Sequence, residues 1–159
     1  MDKNEFAQRI EAVKKQLYKT AYLYLGNEAS ALEAVDESIY KAFKALKSLR
    51  QPDYFNTWIT RILINECKKE LNRLKRIKPE EYMPLDGAHE YDFDSYTLKE
   101  AIARLPEDLR SVVILRYFMD FTLSKTAQIL DIPQGTIATR QRRALQLLKF
   151  ELSEEEDNE

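Results

Sequence analysis

Five side chains crowd a short stretch near the C-terminal end of this 159-residue chain: Thr136, Thr139, Arg140, Arg142 and Arg143. Arginine can fork two N–H bonds onto guanine, and short hydroxyls can hold phosphate oxygens. The set is therefore suited to reading duplex DNA in the major groove. One good bidentate base contact contributes roughly 1–3 kcal/mol of discrimination. A second set lies upstream, where Tyr54, Phe55 and Trp58 precede Arg61, Lys68, Lys69, Arg73, Lys75 and Arg76. Residues 40–79 hold 11 basic and 3 acidic groups. Rings beside such a cationic surface suit unpaired bases, which stack on them while the cations neutralise the backbone. Ordinary packing competes with both readings, as a solvated basic face in the first case and as core-filling rings in the second. Phe55 falls on an apolar stripe and is expected in the core; Trp58 lies one position off it, and both roles stay open.

Catalysis has no comparable set. Glu28, Glu33, Asp36 and Glu37 lie opposite an apolar stripe, but no nucleophile or histidine accompanies them. His89, the single histidine, sits in an aperiodic segment and reads as an exposed loop residue. Cys67, the single cysteine, falls on a core stripe and reads as a small buried hydrophobe. There is no phosphate-binding glycine loop and no metal-ligand spacing. No catalytic residue, metal or cofactor is expected.

The elements that must position the two basic sets are helices. Three glycines and five prolines leave little material for the turns of an all-β fold. Phe6, Ile10, Val13, Leu17, Ala21 and Leu25 recur at helical spacing, and Gly26-Asn27 stops the run. Leu32, Val35, Ile39, Phe43 and Leu46 make a second stripe, broken at Gln51-Pro52-Asp53. Phe55, Ile59, Leu63, Cys67, Leu71 and Leu74 make a third, which ends near Pro79 because the residue before proline is biased out of the helix. Residues 79–95 have no sustained period. A helix then resumes near Tyr96, and Pro106 suits the first turn of the next, whose buried face is Leu109, Val112, Val113 and Tyr117. Thr122 is a plausible N-cap for a short helix over Leu123 to Leu130. Asp131-Ile132-Pro133 makes a tight turn, and a last helix runs from about Gln134 to Phe150 with Ile137, Gln141, Ala144 and Leu148 on one side. Two short helices, a three-residue turn and the small Ala127 at their crossing form a helix-turn-helix pattern.

The expected fold is all-α, with a three-helix N-terminal domain and a C-terminal helix-turn-helix domain joined by a flexible linker. The boundaries are 1–78, a linker 79–95, 96–152 and an acidic tail 153–159. A formal net charge of -2 conceals a strong division. Residues 1–79 carry 16 basic and 10 acidic groups, residues 80–108 carry 2 and 9, residues 109–150 carry 7 and 2, and residues 151–159 carry no basic and 6 acidic groups. Two basic blocks separated by an acidic connector suggest two modules that face polyanions. No apolar run approaches the roughly 18 residues of a membrane span. The charged N-terminus lacks a signal core, and one cysteine fits a reducing compartment, so a cytoplasmic protein is expected.

Taken in order, several segments resemble the extracytoplasmic-function sigma factors of bacterial RNA polymerase. Ala31-Leu32-Glu33-Ala34-Val35-Asp36-Glu37-Ser38-Ile39-Tyr40-Lys41-Ala42-Phe43 is similar to their D-A-E-D-L-V-Q-E-T-F type run. Phe55-Asn56-Thr57-Trp58-Ile59-Thr60-Arg61-Ile62-Leu63-Ile64-Asn65 resembles their F-x-x-W-L-x-R-I-x-x-N pattern. Leu105-Pro106-Glu107-Asp108-Leu109-Arg110 and Gly135-Thr136-Ile137-Ala138-Thr139-Arg140 resemble their promoter-binding domain. The likeness runs from about Phe6 to Phe150. It implies a protein that binds core RNA polymerase and directs promoter recognition, strand opening and transcription initiation. Asp36 and Glu37 would lie on or near the polymerase-binding surface. The loop Lys47 to Asp53, with Arg50, would help form a pocket for a flipped base of the downstream element. Asn56, Trp58, Arg61 and Asn65 would open the strands, and Lys68, Lys69 and Arg73 would follow the DNA backbone. Thr136, Thr139, Arg140, Arg142 and Arg143 would read the upstream duplex element, and the acidic linker would pass through the RNA exit region. An anti-sigma factor, commonly membrane-anchored in the family, is implied as a further partner. Three positions depart from the pattern: Asp131 for a turn glycine, Ala138 for a basic residue and Gln141 for a leucine.

Two other readings compete. A stand-alone regulator would use residues 1–78 to dimerise or sense, although the strongly basic segment is a poor dimer face. It would be a dimer, whereas a sigma factor is expected to be monomeric when free. A nuclease would need a coherent acidic metal site and a usable histidine, and the one histidine, His89, lies in the aperiodic segment.

Overall fold

The computed structural model describes residues 1–79 and 93–157. Helix α1 spans Lys3–Leu25, α2 Glu28–Lys44, α3 Phe55–Ile77, α4 Phe93–Arg104, α5 Glu107–Val113, α6 Leu123–Leu130 and α7 Gln134–Asp157. Short 3₁₀ turns at Leu46–Ser48 and Pro52–Tyr54 bridge α2 and α3, and α5 runs on as a π-helical turn, Ile114–Phe118. The described residues contain no strand. His89 and most of the expected linker lie outside them.

Helices α1, α2 and α3 pack as a three-helix unit, and each boundary has a local cause. Asp2 caps α1 by accepting from the Glu5 amide at 2.8 Å. Gly26 ends α1 in the left-handed region, with φ of 71°. Asn27 is extended rather than left-handed, and its side chain caps α2 by accepting from the Ser30 amide at 3.0 Å. The α1 and α3 stripes are buried except for the half-buried Val13 and Leu74, with Phe55, Ile59, Leu63, Cys67 and Leu71 all at or below 2% exposure. The α2 face is turned by about one position. Its buried residues are Ala31, Ala34, Val35, Ser38 and Ala42, while Leu32 and Phe43 are exposed. Small side chains let α2 approach its neighbours closely, and this continuous small stripe outcompetes the larger residues beside it.

The second unit comprises α4 to α7. Thr122 caps α6 by accepting from the Lys125 amide at 3.1 Å. Val112, Ala127 and Ile137 form the small core of the helix crossing, so Ala127 occupies the close-approach position expected of it. The sequence places Tyr117 on the buried face, but it is exposed and Phe118 is half-buried. The π turn explains this, because an extra residue per turn rotates every side chain after Ile114.

The two units share one apolar core. Their junction is centred on Arg110, a buried cation at the C-terminal ends of two helices. Its guanidinium donates to the carbonyls of Ala103 at 2.5 Å and Leu105 at 3.1 Å beyond α4, and of Tyr24 at 2.7 Å in the last turn of α1. A positive charge there satisfies orphan carbonyls and complements both helix dipoles. Tyr24, also buried, donates its hydroxyl to Glu107 at 3.0 Å. Its burial pushes the phenol well above the usual range, so the group stays a donor.

Candidate nucleic-acid interface

The C-terminal site is built on the turn between α6 and α7. Asp131 takes the left-handed conformation, with φ of 57° and ψ of 46°, that a glycine would adopt without strain. Aspartate is among the few other residues that tolerate it. The Ile132 amide closes the turn on the Ala127 carbonyl at 3.1 Å. Beyond it, Thr136, Thr139, Arg140 and Arg143 recur at three- and four-residue spacing and share one face of α7. With Asp108, Leu109 and Gly135 they line a depression of about 350 Å³. Arg140 is held there by Asp108, with Nε 3.7 Å from the carboxylate. The Thr139 hydroxyl donates to the Gly135 carbonyl at 3.0 Å. Arg142 is exposed but lies about 100° round the helix from Arg143, off this depression. Gln141 is a second-row residue: its carbonyl accepts from Arg116 Nε at 3.0 Å, while Arg116 Nη1 donates to the Phe121 carbonyl at 2.8 Å. That bridge ties α7 to the segment entering α6.

On α3 most of the expected residues form one broad surface, with Asn56 apart from it. Arg61, Asn65 and Lys68 follow one stripe at helical spacing, with Trp58 beside its start. Trp58 is half-buried, its ring centroid 6.0 Å from that of Phe55, so one edge packs on the core and another remains accessible. Arg61 pairs with Asp131 of the other unit at 3.5 Å. Asn56 is exposed on a different face and lines a cleft of about 180 Å³ between the units, opposite Asp120 and Phe121. Lys69 follows Asn65 by one turn and Arg73 follows Lys69 by another, so they continue the Asn65 side of α3 round toward α2. They line a groove of about 790 Å³ between α2 and α3 that also holds Asp36 and Glu37. Arg73 is bound to Glu70 at 2.5 and 3.1 Å, and this hydrogen-bonded carboxylate raises its pKa further. Cys67 is fully buried, and burial pushes its thiol far above the ordinary range.

The α2–α3 connection makes a further site. Arg9 donates to the Pro52 carbonyl at 2.8 Å and fixes the loop, burying Leu49 and leaving Arg50 exposed. Phe43, Leu46 and Leu49 line a cleft of about 750 Å³ whose other residues include Lys3, Lys44 and Lys47. Lys3 Nζ stands 5.8 Å from the Phe43 ring centroid.

Residues 9–77 match the family model for Sigma-70 region 2, and residues 101–149 match that for Sigma-70, region 4. The RNA polymerase sigma factor SigV of Bacillus subtilis is 32% identical over 146 residues, which cover 90% of this chain and 88% of that protein. The chain belongs to the extracytoplasmic-function sigma factors. Another relative, the ECF RNA polymerase sigma-E factor of Salmonella typhimurium, is 33% identical over 132 residues, covering 70% of this chain and 68% of its own. The fold is that of two solved structures. One is the sigma factor RpoE in complex with the anti-sigma factor NepR from Bartonella quintana, with a TM-score of 0.82, 23% identity and coverage of 94% of this chain and 97% of the other. The second is CnrH in complex with the cytosolic domain of CnrY, at 0.76 and 20%, covering 96% and 90%.

In this sigma factor, local sequence does not single out Phe43 at the cleft or Arg110 at the junction of the units. Periodicity places Phe43 on a buried stripe, yet the unbroken row Ala31, Ala34, Ser38 and Ala42 marks the face by which α2 packs. Arg110 was visible only as part of a motif resembling a promoter-binding domain. No local pattern shows that its acceptors include a carbonyl 86 residues away.

Proposed function

We propose that this sigma factor, which binds core RNA polymerase and directs promoter recognition and transcription initiation, does so through two DNA-binding faces of different kinds. Thr136, Thr139, Arg140 and Arg143 read the upstream duplex element, and Arg142 takes a flanking phosphate. Trp58, Arg61, Asn65 and Lys68 engage the downstream element as it opens, and Asn56 joins them once the units separate. The cleft at Phe43, with Arg50 at its loop, receives the flipped base, since a ring with lysines around it suits a nucleobase and its phosphates. Asp36 and Glu37 face the polymerase. The functional division follows the two helical units, residues 1–78 and α4 to α7; α4 starts at Phe93, inside the expected linker 79–95, and α7 runs to Asp157, through most of the expected tail 153–159.

The observation that carries this reading is the shared face of Thr136, Thr139, Arg140 and Arg143 on the second helix of a helix-turn-helix. The protein acts as a specificity subunit of the polymerase and not as an enzyme of its own. It works in the cytoplasm and is monomeric when free. One solved structure of this fold is a complex with an anti-sigma factor, and such a factor, membrane-anchored as is common in the family, holds this chain inactive. The test is Arg140→Ala. Loss of one bidentate base contact lowers duplex affinity about 5- to 150-fold, the equivalent of roughly 1–3 kcal/mol, while binding to core polymerase stays unchanged. Equal loss of both would overturn the assignment.

A further inference from the structure

The depression on α7 is closed on one side by the first turn of α5, where a carboxylate stands among residues suited to reading DNA. Asp108 belongs to that turn, and Leu109, 2% exposed, lines the depression with it. The carboxylate is engaged through both oxygens. Its Oδ1 accepts from the Leu109 amide at 3.0 Å, and its Oδ2 stands 3.7 Å from Nε of Arg140. Because the first contact ties it to the backbone, the carboxylate is a fixed anchor for the arginine. The Asp108 and Arg140 side chains are 53% and 32% exposed. An ion pair so open to solvent contributes little to stability, so holding the fold together is a poor account of it.

The geometry suits a different task. The guanidinium is planar, and its two Nη groups lie beyond Nε at the free end of the side chain. An arginine approached by a carboxylate at Nε therefore keeps the two-pronged end that matches O6 and N7 of guanine. A side chain already held in place also loses less rotamer freedom when it binds. The same carboxylate bears on phosphate. A phosphate brought to Arg140 comes within a Debye length of Asp108, and the two negative charges repel. A base edge carries no net charge and meets no such penalty. Phosphate contacts position a protein without reporting sequence, whereas base contacts specify.

We propose that Asp108 is a specificity-determining positioning residue of the upstream site. It holds Arg140 by Nε, presents the Nη pair to a guanine, and keeps that arginine from being spent on the DNA backbone. This rests on the reading that α7 reads the upstream duplex, and it adds to that face a residue from a different helix.

The test uses holoenzyme formed from the full chain and core polymerase, equilibrated with a pool of random-sequence duplex DNA whose bound fraction is sequenced and aligned. Arg140→Ala is expected to erase a guanine preference at one position of the upstream element. Asp108→Asn keeps an oxygen for the Leu109 amide and removes the charge. It is expected to lower the preference at that same position at least about fivefold, the lower end for one bidentate base contact, with the other positions unchanged. The double variant Asp108→Asn, Arg140→Ala is expected to match Arg140→Ala alone. Preferences in Asp108→Asn identical to those of the unaltered chain overturn the proposal, and so does a uniform change of affinity for all sequences, which bulk charge alone would give. Loss spread over every position, or further loss in the double variant, makes Asp108 a structural residue of the unit and overturns it as well. If Arg140→Ala itself alters no position, the underlying reading of α7 fails and the proposal falls with it.

Discussion

Trp58 sits half in the core and half out, so packing and the proposed stacking on a base can be separated by experiment. Its contact with Phe55 stabilises the three-helix unit, and its free edge is available to a base. Stacking a base on an aromatic ring contributes about 1–3 kcal/mol. Trp58→Ala should therefore lower strand opening by the holoenzyme about 5- to 150-fold while closed-complex formation is retained, measured by permanganate reactivity of the opened thymines. A loss of thermal stability with normal opening would confine Trp58 to the core. The positions that depart from the family pattern also make sense one residue at a time. Asp131 supplies the left-handed turn that glycine would, and adds a carboxylate that meets Arg61. Gln141 gives up apolar contact but accepts the Arg116 hydrogen bond that steadies the approach to α6. The identities of these residues were plain in the sequence. Their partners were not, because Asp131 and Arg61 are 70 positions apart and no local spacing relates them.

At the scale of elements, the question is what holds the two helical units together. Two contacts compete for the role. The Arg61–Asp131 pair is 43% and 83% exposed, and solvent-exposed pairs contribute about 0.2–1 kcal/mol. Arg110 is buried and donates to three carbonyls, and a hydrogen bond from a charged group contributes about 1.5–3 kcal/mol. The junction therefore depends on Arg110 and the shared apolar core. Arg110→Leu should expand the free protein in small-angle scattering and lower its melting temperature by several degrees, whereas Asp131→Asn should change neither appreciably. Expansion in the Asp131 variant alone would reverse this ranking. The helices themselves were largely legible, since buried stripes at helical spacing, Gly26, Thr122 and the prolines mark most of their ends. Two features could not be read so directly. The α2 face is decided by how closely a row of alanines lets the helices approach, and the π turn at Ile114–Phe118 shifts a register that periodicity assumes to be constant.

Across the whole molecule, a nearly balanced composition hides two basic blocks, one in each helical unit. Each phosphate neutralised on duplex DNA releases counterions and adds about -0.9 to the slope of log affinity against log salt. Promoter binding by the holoenzyme should fall steeply with salt, and Arg142→Ala should flatten the slope by about one unit while weakening all sequences alike. A change in sequence preference would instead make Arg142 a base reader. The packed arrangement also joins the two basic units directly, since Arg61 of α3 pairs with Asp131 in the turn that introduces α7.

The central claim is that this chain lends promoter specificity to RNA polymerase, and run-off transcription on a fragmented genomic template tests it most directly. With purified bacterial core polymerase, the protein should produce discrete new transcripts whose upstream sequences align into two elements, and Arg140→Ala should abolish or redirect them. Transcripts identical with and without the protein, together with failure to co-elute with core polymerase, would contradict the account.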